Sequence, residues 1–262
     1  MAEPAPELFD AHLHPEYLTD QDLESMAVFG VKRALVVAHH PAAETKPKLL
    51  RAHFDNLLGK QLRRLERAGI RAWAALGIHP LAVPARGLHE MLSALPDYFT
   101  GGRVVALGEI GLHRGGESEE EAFLEQLTLA KRLKLRVLVH TPHRNKESIT
   151  RRTLTLLRGS GVPPSRVLVD HTSGRTVRLV LACGHWAGLT VHPDELSGER
   201  AVALVRQLGT ERVVLDSDSG EGVGDILGLA RVARLLEKSK LSPDVVARVT
   251  RRNAARFYRV EG

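Results

Sequence analysis

Histidines and carboxylates recur in this sequence at one kind of place, the end of a short apolar run. The first set is Asp10-Ala11-His12-Leu13-His14. Later come Gly77-Ile78-His79-Pro80, Gly108-Glu109-Ile110-Gly111, Val139-His140-Thr141, the pair Asp170-His171, and Asp216-Ser217-Asp218. Imidazole nitrogens and carboxylate oxygens together make the ligand set of borderline divalent cations. Alternate residues on a strand share a face, so Asp10, His12 and His14 are expected to point one way. His12 and His14 then offer nitrogens to one ion, and Asp10 orients a ligand histidine from behind. Glu109 can bridge two cations, one oxygen to each, with Gly108 and Gly111 letting the backbone come close. His140 and His171 offer nitrogens to a second ion. Asp216 and Asp218 share parity; one is expected to be ligand and general base, the other a structural cap, and Asp218 is preferred for the first role. Any one of these positions alone could be a water-capped strand end or a core histidine bonded to a carbonyl. The whole set needs an explanation, because clustered charge is costly to bury unless it is paired or bound to metal.

These residues meet only if the fold gathers the strand ends. The strand candidates are Leu8–His12, Arg33–His39, Ile70–Gly77, Val104–Ile110, Arg136–His140, Val167–His171, Trp186–Val191 and Arg212–Asp216. They are rich in Val, Leu and Ala and alternate little, as expected for strands covered on both faces. Amphipathic helices lie between them. One uses Leu50, Phe54, Leu57, Leu58, Leu62 and Leu65 and closes at Gly69. Another carries Phe123, Leu127, Ala130 and Leu133, with Glu119, Glu120 and Glu121 in its first turn, where they suit the helix dipole. A last helix carries Val245, Val246, Val249 and Phe257. Repeated strand–helix alternation predicts an α/β fold, a (β/α)8 TIM barrel spanning 1–262 as a single domain. A doubly wound open sheet is the alternative. It calls for a glycine-rich phosphate turn after an early strand, and no G-x-G-x-x-G occurs there. In the barrel, the strand ends converge on one mouth.

Composition narrows the function classes. The chain has 262 residues, 43% of them apolar but only 4% aromatic, so its core is aliphatic. Cys183 is the single cysteine, which rules out an internal disulfide and a thiolate metal cluster. The N-terminal residues have no signal-peptide pattern and no apolar run spans a bilayer, so a cytoplasmic protein with no membrane anchor is expected. No obligate protein partner is evident. The formal charge of +6 favours an anionic substrate, a small ester or nucleic acid, although scattered arginines also fit a solvated surface. A non-catalytic basic binding module is a further alternative, but it needs stacking aromatics along a basic face, and the few aromatics are dispersed. His39 and His40 are expected either at the rim or behind a ligand residue, as is His192. His53, His89 and His185 are expected to be structural or exposed. Lys131, Arg132, Lys134 and Arg136 read as a solvated helix end.

The chain resembles the TatD-like metal-dependent hydrolases, a branch of the amidohydrolase-type barrels. The matching stretches are DAHLH at 10–14, GIHP at 77–80, GEIGL at 108–112, VHT at 139–141, DHTSG at 170–174, LDSDS at 215–219 and RRNAARFY at 251–258. The resemblance implies a binuclear site. His12, His14, Glu109 and Asp218 would hold one ion, and Glu109, His140 and His171 the other, with His79 near the substrate's anionic group. It also implies a hydrolase, with deoxyribonuclease the activity often attached to the family. Asp218 would orient the attacking water and accept its proton, while His79, with His143 or Arg144, would hold the substrate anion. The mixed nitrogen and oxygen set suits zinc first, with Mn, Fe, Ni or Mg as alternatives. The chain also departs from the family pattern. Pro15 and Glu16 follow the first H-x-H, His113 stands where the family usually has Asp after GEIGL, and Gly220 replaces a usual Pro. These departures bear on the substrate, a phosphoester or alternatively a lactone or amide, more than on metal binding.

Overall fold

Valine, leucine and alanine runs pair side by side along the whole chain, in sequence order. The computed structural model describes residues 7–39, 46–220 and 222–260. Its strands are β1 (Leu8–Leu13), β2 (Val31–Val37), β3 (Arg71–Leu76), β4 (Val104–Gly111), β5 (Val137–His140), β6 (Val167–Val169), β7 (Trp186–Thr190) and β8 (Val213–Asp216). Each pairs in parallel with the next. β1 then meets the end of β8. Leu13 bridges Ser219 in parallel, the His14 amide donates to the Ser219 carbonyl at 2.9 Å, and the Asp218 amide donates to the His12 carbonyl at 3.1 Å. This is the expected (β/α)8 TIM barrel. β2, β3, β6 and β7 stop before His39, Gly77, His171 and Val191, so those residues lie on the loops of the mouth.

The helices bury the faces that the periodicity selects. Pro47–Asn56 runs through a π-type turn, Leu57–Gln61, into Leu62–Arg67, and buries Leu50, Phe54, Leu57, Leu62 and Leu65. Glu117–Leu133 buries Phe123, Leu127 and Ala130, whereas Leu133, expected on the same face, is exposed at the helix end. Its Glu119 is buried and accepts the amides of His113, Arg114 and Gly115 at 2.8–2.9 Å, so it anchors the preceding loop. Among the described residues, no helix is long and apolar enough to cross a membrane.

Two apolar clusters divide the strand faces. The larger joins alternate residues such as Ala34, Val36, Ala74, Leu107, Val139 and Leu189 to the surrounding helices. The smaller fills the barrel: Phe9, Leu35, Trp73, Leu138, Leu168, Trp186 and Val214, with Ala254, Ala255, Phe257 and Tyr258 of the helix Asn253–Tyr258. Phe9 stacks on Trp73 with centroids 5.8 Å apart, and Trp186 meets Phe257 at 5.5 Å. Asn253 Nδ2 donates to the Val213 carbonyl at 2.7 Å, tying this helix to the start of β8. The helix therefore closes the barrel floor, opposite the mouth.

Register shifts interrupt β1, β2 and β4, and two of them lie at the site. The β1–β2 pairing runs Asp10↔Ala34 and then Leu13↔Val36, one residue extra on β1. The β4–β5 pairing runs Leu107↔Val137 and then Ile110↔Val139, one residue extra on β4. Bulges re-aim side chains, and these two contain His12 and Glu109.

Candidate metal centre

Five buried imidazoles converge on Glu109 and Asp218, and the partner behind each ring fixes which nitrogen faces inward. His12 Nδ1 donates to Asp170 Oδ2 at 2.8 Å, leaving Nε2 as a lone pair 3.6 Å from both Glu109 Oε1 and Asp218 Oδ1. His14 Nδ1 donates to the Val37 carbonyl at 3.1 Å, and its Nε2 faces Asp218 Oδ1 at 3.1 Å and Glu109 Oε1 at 4.0 Å. His171 Nδ1 donates to Thr190 Oγ1 at 3.0 Å, which turns Nε2 toward Glu109 Oε2 at 3.5 Å, a lone pair when the ring is neutral. His140 turns Nδ1 to Glu109 Oε2 at 3.1 Å, while its Nε2 meets His113 Nδ1 at 3.1 Å.

His79 is oriented the other way. Its Nδ1 accepts the Leu81 amide at 3.1 Å, so the neutral ring carries its hydrogen on Nε2, 3.8 Å from Glu109 Oε1. Four groups among the described residues have ligand atoms within 4.8 Å of one another: His12, Glu109 and His171; His12, His14 and Asp218; His39, His79 and Glu109; and His12, Asp170 and Asp216, where His12 Nδ1 already donates to Asp170. The tautomers support the first two and argue against the third, because His79 presents N–H where a cation needs a lone pair. His12 Nε2, His14 Nε2 and Asp218 Oδ1 are buried and complete no hydrogen bond. Buried polar atoms of this kind call for a partner, and a cation fits all three.

The field in the site favours positive charge. Burial depresses His12, but Glu109, Asp218 and the Asp170 hydrogen bond raise it well above its usual value. His171 is likewise depressed by burial yet raised, to about 10, chiefly by Asp170. Burial raises Glu109, but His12 and His79 pull it well below the usual carboxylate range. Asp218 is also lowered against its burial, with His12 the main cause. Without a cation, these acids draw protons onto the imidazoles; a divalent ion satisfies the same field.

Strained and close-packed backbone holds the groups in place. His171 and Asp218 both adopt left-handed conformations, φ 53° and 50°, which are uncommon for residues other than glycine. Lys146 Nζ donates to the His171 carbonyl at 2.5 Å and to Glu195 Oε1 at 2.8 Å. Thr141 Oγ1 donates to the Asp170 carbonyl at 2.6 Å. A Cβ on Gly108 would sit 2.6 Å from Leu138 Cβ, and one on Gly188 would sit 1.8 Å from Asp170 Oδ1. The first glycine lets β4 approach β5 beside Glu109, and the second leaves room for the carboxylate behind His12.

The other expected residues divide. Among the described residues, Asp10 has no hydrogen bond to an imidazole ring, although it accepts the His12 amide at 3.5 Å. It accepts the Ser217 amide at 3.0 Å and Ser217 Oγ at 2.5 Å, bracing β8, while Asp170 takes the place expected of Asp10 behind His12. The β1 bulge is the physical reason, since it breaks the shared parity of Asp10 and His12. Asp216 is buried without a hydrogen bond, and burial beside Asp170 pushes its carboxyl well above the usual range. His143 lies at the mouth, paired with Glu195 at 3.0 Å, whereas Arg144 is exposed outside the pocket lining. His39 lines the mouth; His40 lies outside the described residues. His192 lines a different pocket, and its Nδ1 accepts the Asp194 amide. His53 and His185 are buried and His89 is exposed. Sequence reasoning missed the roles of Asp170, Lys146, Glu195 and Gln126. Gln126 clamps Ile78 through both its amide and its carbonyl. The adjacency of Asp170 to His171 was the one available signal; the others lie on helices or loops and meet the site only in three dimensions.

Comparison with known proteins agrees with this geometry. The family model described as TatD related DNase matches residues 9–259. An uncharacterized metal-dependent hydrolase of Methanocaldococcus jannaschii is 31% identical over 254 residues, covering 97% of this chain and 100% of that protein. Deoxyribonuclease TATDN3 of Homo sapiens is 30% identical over 235 residues, 81% of this chain and 77% of that protein. The crystal structure of a TatD-like protein from Archaeoglobus fulgidus superposes with a TM-score of 0.81 at 30% identity, covering 96% of this chain and all of that one. The chain belongs to the TatD family of metal-dependent hydrolases, and its histidines, glutamate and aspartates form a cluster able to hold metal ions.

Proposed function

We propose that this protein is a two-metal phosphoesterase that cleaves phosphodiesters, with DNA as the leading substrate class. The observation that carries the proposal is the opposed orientation of the imidazoles. His12, His14 and His171 turn Nε2 toward Glu109 and Asp218, the nitrogen left as a lone pair in the neutral ring, whereas His79 turns an N–H. The first ion would be held by His12, His14, Glu109 and Asp218, and the second by Glu109, His140 and His171. The nitrogen and oxygen donors suit zinc, with Mn, Fe, Ni or Mg able to substitute. Bound there, such ions acidify a water and polarise the oxygen under attack.

The chain's own groups do the rest. Asp218, fixed by its strained backbone, orients the attacking water and takes its proton. His79 Nε2–H donates to the phosphoryl oxygen, where negative charge grows in the transition state. His143 sits beside it at the mouth for a further phosphate oxygen. The positive formal charge and the deoxyribonuclease relatives support a polyanionic substrate.

The test is a substrate panel on metal-stripped protein reloaded with zinc or manganese. Phosphodiesters, single-stranded DNA included, should be hydrolysed, and chelation should abolish turnover. Hydrolysis of lactones or amides with phosphodiesters inert at every metal would overturn the proposal.

A further inference from the structure

We infer that His113 is a positioning residue that makes the ion on Glu109, His140 and His171 the weaker-held, exchangeable member of the pair. This rests on the two-ion reading above. The two halves of the site differ in what stands behind their imidazoles. His12 is backed by a full carboxylate, Asp170, at 2.8 Å. His140 is backed only by His113, whose Nδ1 lies 3.1 Å from His140 Nε2, with the rings stacked at 19° and centroids 5.4 Å apart. In the metal-free chain His140 Nδ1 donates to the Glu109 carboxylate; with a cation on Nδ1 instead, Nε2 would carry the hydrogen and His113 Nδ1 would receive it as a neutral lone pair.

A carboxylate behind a ligand imidazole raises its basicity and so its hold on metal; a neutral acceptor orients the ring but adds little charge. His171 is backed by a hydroxyl, Thr190, which in turn donates to Asp170 at 3.4 Å, so neither imidazole of this half donates directly to a carboxylate through its outer nitrogen. His140 is also the more open ligand, with its side chain 11% exposed against none for His12 and His14. The position of His113 is built, not incidental. Glu119 accepts the His113 amide at 2.8 Å and fixes the loop from which the ring projects.

Chain length supplies a clean test. The Oδ atoms of Asp and Asn stand the same number of bonds from the backbone as His Nδ1. His113→Asn therefore keeps a neutral acceptor at that depth, His113→Asp makes it charged, and His113→Ala removes it. Zinc is titrated calorimetrically into metal-stripped wild type and the three variants, with stoichiometry read by mass spectrometry. Wild type should take two ions, the second at least about tenfold weaker. His113→Ala should weaken the second step by about tenfold or more, His113→Asp should tighten it by a similar factor, and His113→Asn should match wild type. The first step should not change in any variant, which also shows that each has folded. Two equal affinities in wild type, or variants that move both steps or neither, would overturn the inference. Wild type that takes up fewer than two ions would overturn the two-ion reading as well, which separates the two failures.

Discussion

At the mouth, the barrel buries His12, His14, His79, His140 and His171 against Glu109, Asp170, Asp216 and Asp218; at the floor it buries Trp73, Trp186, Phe257 and Tyr258. Between the two layers lies the buried Tyr258 hydroxyl, which burial, reinforced by the charges of Asp170 and Asp216, pushes well above its usual range. The difference separates two jobs. Packed aromatic area at the floor stabilises the fold in proportion to the surface removed from water. The mouth contributes little in that way, because buried ion pairs barely offset the desolvation of their members. What the mouth gains is a fixed arrangement of lone pairs, held by strain at His171 and Asp218 that the rest of the barrel must offset.

Removing a central group from each end sharpens this comparison. Glu109→Ala should lower phosphodiesterase activity by about 10⁴-fold, or about 5.5 kcal/mol of transition-state stabilisation. It should also lose metal while leaving the unfolding midpoint of the stripped chain near wild type. Steady-state kinetics, metal analysis and calorimetry check this, and a collapse in the midpoint would blur the division. Phe257→Ala should do the reverse, costing about 3–5 kcal/mol of stability in denaturant melts with activity per folded molecule retained. Lost activity in a still-folded Phe257→Ala protein would show the floor to be part of the catalytic machinery.

A smaller effect is expected with pH. In the folded, metal-free chain, His12, His14 and His171 hold protons more tightly than unfolded histidine does. Their contribution to stability is therefore complete below about pH 6.5 and is lost as pH rises, up to about 10 for His171. His140, whose value is lowered chiefly by burial, works in the opposite sense. The melting temperature of the stripped protein should fall by several degrees over that window. Saturating zinc, which replaces the protons, should remove the fall. A flat profile for the stripped protein would place the excess negative field elsewhere.

The same two regions explain what was legible in sequence. Strand-end residues could be read directly, because a parallel barrel carries every strand end to one place, so His12, His14, Glu109, His140, His171 and Asp218 stood out before any contact was known. Period-two reasoning failed at Asp10, since the bulge in β1 leaves no mark in the hydrophobic pattern. Glu119 looked like a dipole-stabilising acid, and only the fold shows it accepting three loop amides. Lys146 and Glu195 lie far apart in the chain and come together over His171. The floor was hidden for a similar reason. Phe257 was recognisable as a buried helix face, but nothing local said that the helix turns under the barrel.

The most direct test is anomalous diffraction from zinc-loaded crystals. Two peaks are predicted, about 3.5–4 Å apart. Glu109 should lie between them, with nitrogens of His12 and His14 about 2.0–2.1 Å from one and those of His140 and His171 at the same distance from the other. A zinc ion ligated by His79, or no zinc within reach of Glu109, would contradict the account.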